Sequence, residues 1–134
     1  MTRKPLTLSS PKQRQGSQFE ALALDFLLDQ GLTLIAQNWL CPKVGELDLV
    51  MIASGKVWDT LVFIEVRQRK PTGFGDAVTS VTLSKQRKII KTAKRFLQQH
   101  PQYQGCDCRF DVMAYVDEQS TPEWLMGAFI ANAW

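Results

Sequence analysis

The sequence lacks any long apolar run, and this absence excludes a transmembrane helix. No stretch reaches the roughly eighteen consecutive apolar residues that mark a membrane-spanning helix. The N-terminal segment MTRKPLTLSSPKQRQGS is polar and basic, and it lacks the apolar core of a secretory signal peptide. We therefore expect a cytoplasmic protein with no membrane partner.

Cysteine is scarce as well, which bears on the redox compartment and on zinc binding. The three cysteines are Cys41, Cys106 and Cys108, and an odd number cannot pair completely. A C-x-C pair with one distant cysteine does not have the spacing of zinc ligands. We expect reduced thiols, as in a cytosolic protein.

The chain also lacks internal repeats and long linkers. Its 134 residues suit one compact domain. We predict a disordered basic lead-in over residues 1–14 and a single domain over residues 15–134.

Apolar periodicity predicts a first helix over residues 17–30. Phe19, Ala23 and Leu27 lie four residues apart, which places them on one helical face. Ser17 followed by Glu20 fits a capping box, and the glycine at position 31 is a natural stop.

Strand patterns follow this helix. LTLIAQNWL reads as a strand, and two apolar runs on either side of SGK read as a hairpin. A second helix is predicted over residues 82–99, and CDCRFDVMAY predicts another strand. We assign no form to PEWLMGAFIANAW. The predicted fold is α/β (α+β), with a small mixed sheet flanked by helices.

Positive charge is concentrated in one segment, although the net charge is only +3. Residues 62–95 carry nine basic residues against two acidic ones. Such a concentration favours an anionic partner, most commonly nucleic acid. A solvated helix face rich in Lys and Arg is the alternative, and both interpretations remain open.

Two carboxylates interrupt the apolar runs of the hairpin. If the runs pair as neighbouring strands, Asp48 and Glu65 lie a few ångströms apart on one face. Adjacent carboxylates repel each other, and their desolvation is costly unless a positive group lies nearby. Mg²⁺ is a suitable partner because it takes oxygen ligands. A cross-strand pair with Arg67 on a solvated face is the alternative explanation.

Two further polar residues border the buried stripes of the predicted helices. Glu20 lies on the side of the first helix that carries Ala23 and Leu27, yet it is also a candidate for the capping box. Gln86 lies on the inner edge of the first turn of the second helix, where an ordinary helix-start residue is equally expected.

Several short segments together resemble a known family. The segments GELDLV, VFIEVRQR, FGDAV, SKQRK and CRFDV are similar to those of the YraN-like uncharacterised bacterial family. That family is similar in fold to PD-(D/E)xK nucleases of the Holliday-junction resolvase type. The resemblance covers nearly the whole predicted domain, and it implies a restriction-endonuclease-like αβββαβ core and a possible homodimer.

The resemblance implies a metal-dependent active site. Asp48, Glu65 and the Val66 carbonyl would hold Mg²⁺ or Mn²⁺, and Glu20 would reach the ion directly or through water. Such an ion activates water and stabilises charge on a scissile phosphate. The implied catalytic residues are Glu20, Asp48, Glu65, Arg67 and Gln86.

The resemblance also implies contacts with branched or structured DNA. A glycine-rich loop at residues 73–75 would approach a groove or a junction. The residues expected to hold the nucleic-acid backbone are Arg69, Lys70, Lys85, Lys88 and Lys91.

One departure from the superfamily pattern concerns the last residue of its motif, where Arg67 replaces the usual lysine. Arginine stays protonated in proteins, so it cannot act as a general base, although it can bind a phosphate oxygen. Three functions remain open at this point: a Mg²⁺-dependent endonuclease, a nucleic-acid-binding module with a degenerate site, and a protein-interaction domain. The last would place its partner at Trp124 and Trp134.

Overall fold

The described residues of the computed structural model, 11–69 and 81–131, form one mixed five-stranded sheet with two long helices. The elements are α1 (Pro11–Asp29), β1 (Thr33–Cys41), β2 (Gly45–Ala53), β3 (Thr60–Gln68), α2 (Leu83–Gln99), a 3-10 helix (Pro101–Tyr103), β4 (Asp107–Tyr115) and β5 (Glu123–Phe129). Neighbouring strands follow chain order, β1-β2-β3-β4-β5, and every pair is antiparallel except the parallel pair β3–β4. The predicted α/β fold is confirmed.

The sheet has a core on each face. Parallel strands require a long crossover connection, and α2 provides it between β3 and β4. Side chains of α2, such as Ile89 and Phe96, pack with Phe63 in one buried cluster. Side chains of α1, such as Phe19 and Leu27, belong to the other cluster. Residues on opposite faces of β3 therefore pack against different helices.

The first helix differs from the prediction at its start and agrees with it at its end. It begins at Pro11, so Ser17 lies inside the helix and the predicted capping box with Glu20 is wrong. Residues 11–14 of the predicted lead-in are helical, and residues 1–10 lie outside the described residues, so the domain division stays a prediction. Gly31 has φ +94°, and the Leu32 N–H donates to the Leu27 carbonyl at 3.1 Å, which is a glycine-ended helix stop.

The second helix matches its predicted bounds closely. Thr82 is its N-cap, and the Thr82 hydroxyl accepts the Lys85 N–H at 3.1 Å. Its buried face comprises Ile89, Thr92, Ala93 and Phe96. The N-terminal end of α2 lies near Glu65 of β3, since Lys85 Nζ is 3.8 Å from Glu65 Oε1.

The C-terminal apolar segment is a strand held by a residue that sequence analysis missed. Asp111 is fully buried in β4 and accepts the Trp124 Nε1–H at 3.0 Å and the Gly127 N–H at 2.9 Å, both from β5. Arg109 donates to the same carboxylate at 2.8 and 2.9 Å. Trp124 is thus half-buried and bonded rather than a free partner surface, and Trp134 lies outside the described residues.

The connection between β2 and β3 is longer than the predicted SGK turn. It comprises residues 54–59 and exposes Val57 and Trp58. Within the described residues, no helix combines the length and the apolar content needed to cross a membrane.

Candidate active site

The β2–β3 hairpin opens where its two central carboxylates lie. The backbone pairing runs from Ala53–Thr60 to Leu49–Ile64, and the same register continued by one residue sets Asp48 opposite Glu65. Instead of a further strand pair, the Val66 N–H donates to Asp48 Oδ2 at 2.9 Å. The period-two pattern therefore predicts the meeting of these two acids correctly.

Burial makes this carboxylate pair electrostatically unusual. Glu65 is only 6 % exposed. Its burial, and then the charge of Asp48, raise the pKa of Glu65 to about 8. Burial also raises the pKa of Asp48, against the lowering effect of its hydrogen bonds to Val66 and Glu65. The two groups share a hydrogen bond, so near neutral pH the pair retains a proton instead of carrying two charges.

Two cationic side chains face Glu65. Arg67 Nη1 lies 3.7 Å and Lys85 Nζ lies 3.8 Å from Glu65 Oε1. Both distances are too long for strong hydrogen bonds, so the attraction is chiefly electrostatic. Arg67 does contact Glu65, but both residues lie on β3, so this contact is not the cross-strand pair of the metal-free alternative, and Glu65 is buried. Lys85, predicted to hold the nucleic-acid backbone, lies directly beside the acids.

Glu20 approaches the pair from α1. Its half-burial, and then the charges of Asp48 and Glu46, raise the pKa of Glu20 to about 7. With its amide nitrogen turned towards the acids, Asn38 donates to Glu20 Oε1 at 2.5 Å and to Glu46 Oε1 at 3.1 Å. Asn38 therefore links Glu20 to Glu46, and Glu20 is close enough to Asp48 for their charges to interact.

Asn38 and Glu46 are site residues that sequence analysis missed. The β1–β2 register pairs Trp39 with Leu47 and Gln37 with Leu49, which sets Asn38 opposite Asp48. Asn38 also has φ +50°, a conformation that asparagine tolerates better than most residues. The alternation of β2 already places Glu46 on the face of Asp48, two residues away. For Asn38 the only signal was the register of β1 against β2, which the apolar pattern of β1 does not specify.

The remaining predicted residues have different surroundings. Gln86 is half-buried in the first turn of α2, and its Nε2 donates to the Val81 carbonyl at 3.0 Å. Arg69 forms an ion pair with Glu123 at 3.2 Å, so it faces β5. Lys88 and Lys91 are exposed on α2. Lys70 and the glycine-rich loop lie outside the described residues.

The chemistry of the central acids fits a hard divalent cation. Mg²⁺ is commonly held by one or two carboxylates with the remaining positions filled by water. Asp48 and Glu65 provide two such groups, and burial raises the pKa of both although the charges of Lys85 and Arg67 lower it. Within the described ranges, no three acidic, histidine or cysteine side chains are grouped closely enough to enclose an ion.

These features define a class: a small α/β domain with buried carboxylates at an opened hairpin, next to the basic N-terminal half of a helix. The chain belongs to the Uncharacterised protein family UPF0102, whose model matches residues 19–115. The matched segment contains every predicted catalytic residue.

Individual relatives support this membership. A UPF0102 protein of Psychrobacter cryohalolentis is 57% identical over 152 aligned positions, which cover 98% of this chain and 88% of the relative. A UPF0102 protein of Psychrobacter sp. (strain PRwf-1) is 55% identical, with both chains covered completely. A UPF0102 protein of Pseudomonas fluorescens is 47% identical over 87% of this chain and 92% of its own.

Proposed function

We propose that this protein is a Mg²⁺-dependent endonuclease that hydrolyses phosphodiester bonds in structured DNA. The observation that carries the proposal is the buried pair Asp48–Glu65. Two cationic side chains lie near Glu65, Arg67 at 3.7 Å and Lys85 at 3.8 Å. Acids that bind a metal, next to cations that bind a phosphate, are the two components that phosphodiester hydrolysis requires.

The protonation of the free pair supports a role in metal binding. Metal ligands must be deprotonated, and a divalent cation provides the charge that allows both carboxylates to ionise. When bound, Mg²⁺ would supply a Lewis acid and an activated water for attack on phosphorus. The Val66 N–H fixes one oxygen of Asp48 and so sets the orientation of this ligand.

The cations would act on the phosphate. Arg67 donates hydrogen bonds in a planar fork that matches two phosphate oxygens, and it stabilises charge that develops during hydrolysis. Lys85 lies on α2 and places its ammonium group near Glu65. It does not occupy the strand position of the superfamily lysine, where this chain has Arg67. Neither residue is assigned the role of a general base.

The substrate class rests on the basic face of α2 and on the resemblance to resolvases. Exposed lysines such as Lys88 and Lys91 contribute sequence-independent attraction to a phosphate backbone. Branched DNA and a homodimer both follow from the resolvase resemblance. Gln86 is proposed to orient a phosphate or the attacking water through the part of its amide that does not bond Val81.

The test is cleavage of a branched DNA with Mg²⁺ by the wild type and by Asp48→Asn. We expect the variant to lose at least a hundredfold in rate while it folds normally, since the amide still accepts the Val66 N–H. Asp59→Asn is the matched control because Asp59 is exposed in the connection between β2 and β3. Equal cleavage by the wild type and Asp48→Asn would contradict the proposal.

A second candidate function is supported by the same contacts. Because Arg67 replaces the usual lysine and already lies against Glu65, the site is also consistent with a nucleic-acid-binding module that has lost turnover. This module would bind branched DNA with the same affinity in the wild type and Asp48→Asn, and neither would cleave it.

A further inference from the structure

A basic recess lies between the turn that joins β1 to β2 and the first half of α2. It has a volume of about 300 Å³. Two lysines line it, Lys43 from the turn and Lys88 from α2, and none of the described residues that line it is acidic. A recess of this kind suits an anionic group such as a phosphate.

The conformation of Lys43 is a second, independent observation. The Val44 N–H donates to the Cys41 carbonyl at 3.0 Å, and Pro42 and Lys43 lie between them. Lys43 has φ +67°. Proline followed by a residue with positive φ is the pattern of a type II turn, whose third position normally carries glycine or asparagine. A lysine held in this costly conformation points to a use for its side chain.

The turn is fixed closely against α2. A Cβ atom at Gly45 would lie 2.5 Å from Thr92 Oγ1 and 3.4 Å from Lys88 Cγ and Cε, so only glycine allows this approach. The buried Thr92 hydroxyl donates to the Lys88 carbonyl at 2.7 Å. The alkyl chain of Lys88 therefore lies along the turn, and both lysines border one recess.

We propose that this recess binds a backbone phosphate of the nucleic-acid substrate and that Lys43 is a phosphate-binding residue. The inference rests on the proposed function, because it places the substrate over the carboxylate pair. Gly45 and Asp48 are three residues apart on β2, which is about 10 Å of extended chain. One nucleic-acid strand can therefore contact the carboxylate site and the recess together.

The test uses Lys43→Gly in the full chain. Glycine is the preferred residue at this turn position, so we expect an unfolding midpoint close to that of the wild type. The measurement is the affinity for branched DNA as a function of salt, in an Asp48→Asn background that prevents cleavage. Loss of one phosphate contact lowers the slope of log affinity against log salt by about 0.9.

Lys56→Gly is the matched control, since Lys56 is exposed in the connection at the other end of β2 and its removal takes away the same charge. An unchanged slope for Lys56→Gly and a reduced slope for Lys43→Gly would support the recess. Equal slopes for the two variants would contradict phosphate binding in the recess. The proposed function would still stand, provided that the wild type cleaves DNA. Absence of any DNA binding by the wild type would overturn both. If Lys43→Gly unfolds early, Lys43→Asn replaces it, since asparagine also tolerates positive φ.

Discussion

Asp48 accepts the backbone N–H of Val66 at 2.9 Å, at the position where β2 and β3 stop pairing. A carboxylate thereby replaces a backbone carbonyl as the acceptor for β3. This relationship explains why an acid occurs in the middle of an apolar strand. It holds the hairpin open and keeps Asp48 next to Glu65.

The protonated acids predict an unusual pH dependence of stability without metal. The pKa of Glu65 is about 8 in the folded protein against 4.5 for the unfolded chain. The folded state therefore binds more protons between these values, so the free energy of unfolding falls as pH rises from 4.5 to 8. Glu65→Gln should reduce this fall by up to about 1 kcal/mol per pH unit. Denaturant unfolding at several pH values measures it, and an unchanged pH profile in Glu65→Gln would contradict it.

Substitution of Arg67 tests whether this cation, which lies beside Glu65, acts on the substrate. Arg67→Ala should lower the rate of DNA cleavage by about a hundredfold, the typical effect of removing one donor that stabilises developing charge. Arg67→Lys should restore part of the rate because it retains the charge. Steady-state cleavage assays separate the variants. If Arg67→Ala cleaved as fast as the wild type, Arg67 would serve only to neutralise Glu65.

Gly45 tests the close contact between the β1–β2 turn and α2. Gly45→Ala should destabilise the fold by about 1–3 kcal/mol, because the added methyl group would overlap the Thr92 hydroxyl. Gly105→Ala is the control, since a Cβ there has no heavy atom within 4 Å. Thermal unfolding of both variants provides the comparison. Equal midpoints would show that the turn moves away without cost.

Asp111 tests the attachment of β5. Asp111→Ala should destabilise the protein by about 3–5 kcal/mol, because it leaves Arg109 without its buried partner and two β5 donors unsatisfied. Asp107→Ala, an exposed position on the same strand, should have little effect. Hydrogen exchange should show early opening of Glu123–Phe129 in Asp111→Ala. Protection of β5 equal to that of the wild type would contradict this role.

Much of the fold can be predicted from local pattern, and the failures have physical causes. The strand patterns of β2 and β3 are readable because each contains a continuous run of buried apolar residues next to its acid. The C-terminal strand cannot be read from local pattern, because its anchoring depends on Asp111, a residue distant in the sequence. The true start of α1 is missed because Ser17 has a capping pattern inside a longer helix.

The candidate site is predictable in part for similar reasons. Asp48 and Glu65 stand out because carboxylates rarely interrupt buried strands. Asn38 and Lys43 do not stand out, because their roles depend on the β1–β2 register and on one turn with positive φ. Tertiary placement alone reveals them.

Asp48 and Glu65 are proposed to bind a catalytic cation, and calorimetric titration of Mg²⁺ measures this binding without relying on cleavage. The wild type and Asp48→Asn are titrated at pH 7 in two buffers of different ionisation enthalpy, so that proton release is measured with binding. We expect the wild type to bind one ion with release of protons and Asp48→Asn to bind none. Absence of Mg²⁺ binding by the wild type, or equal binding by both proteins, would rule out a cation site at Asp48 and Glu65.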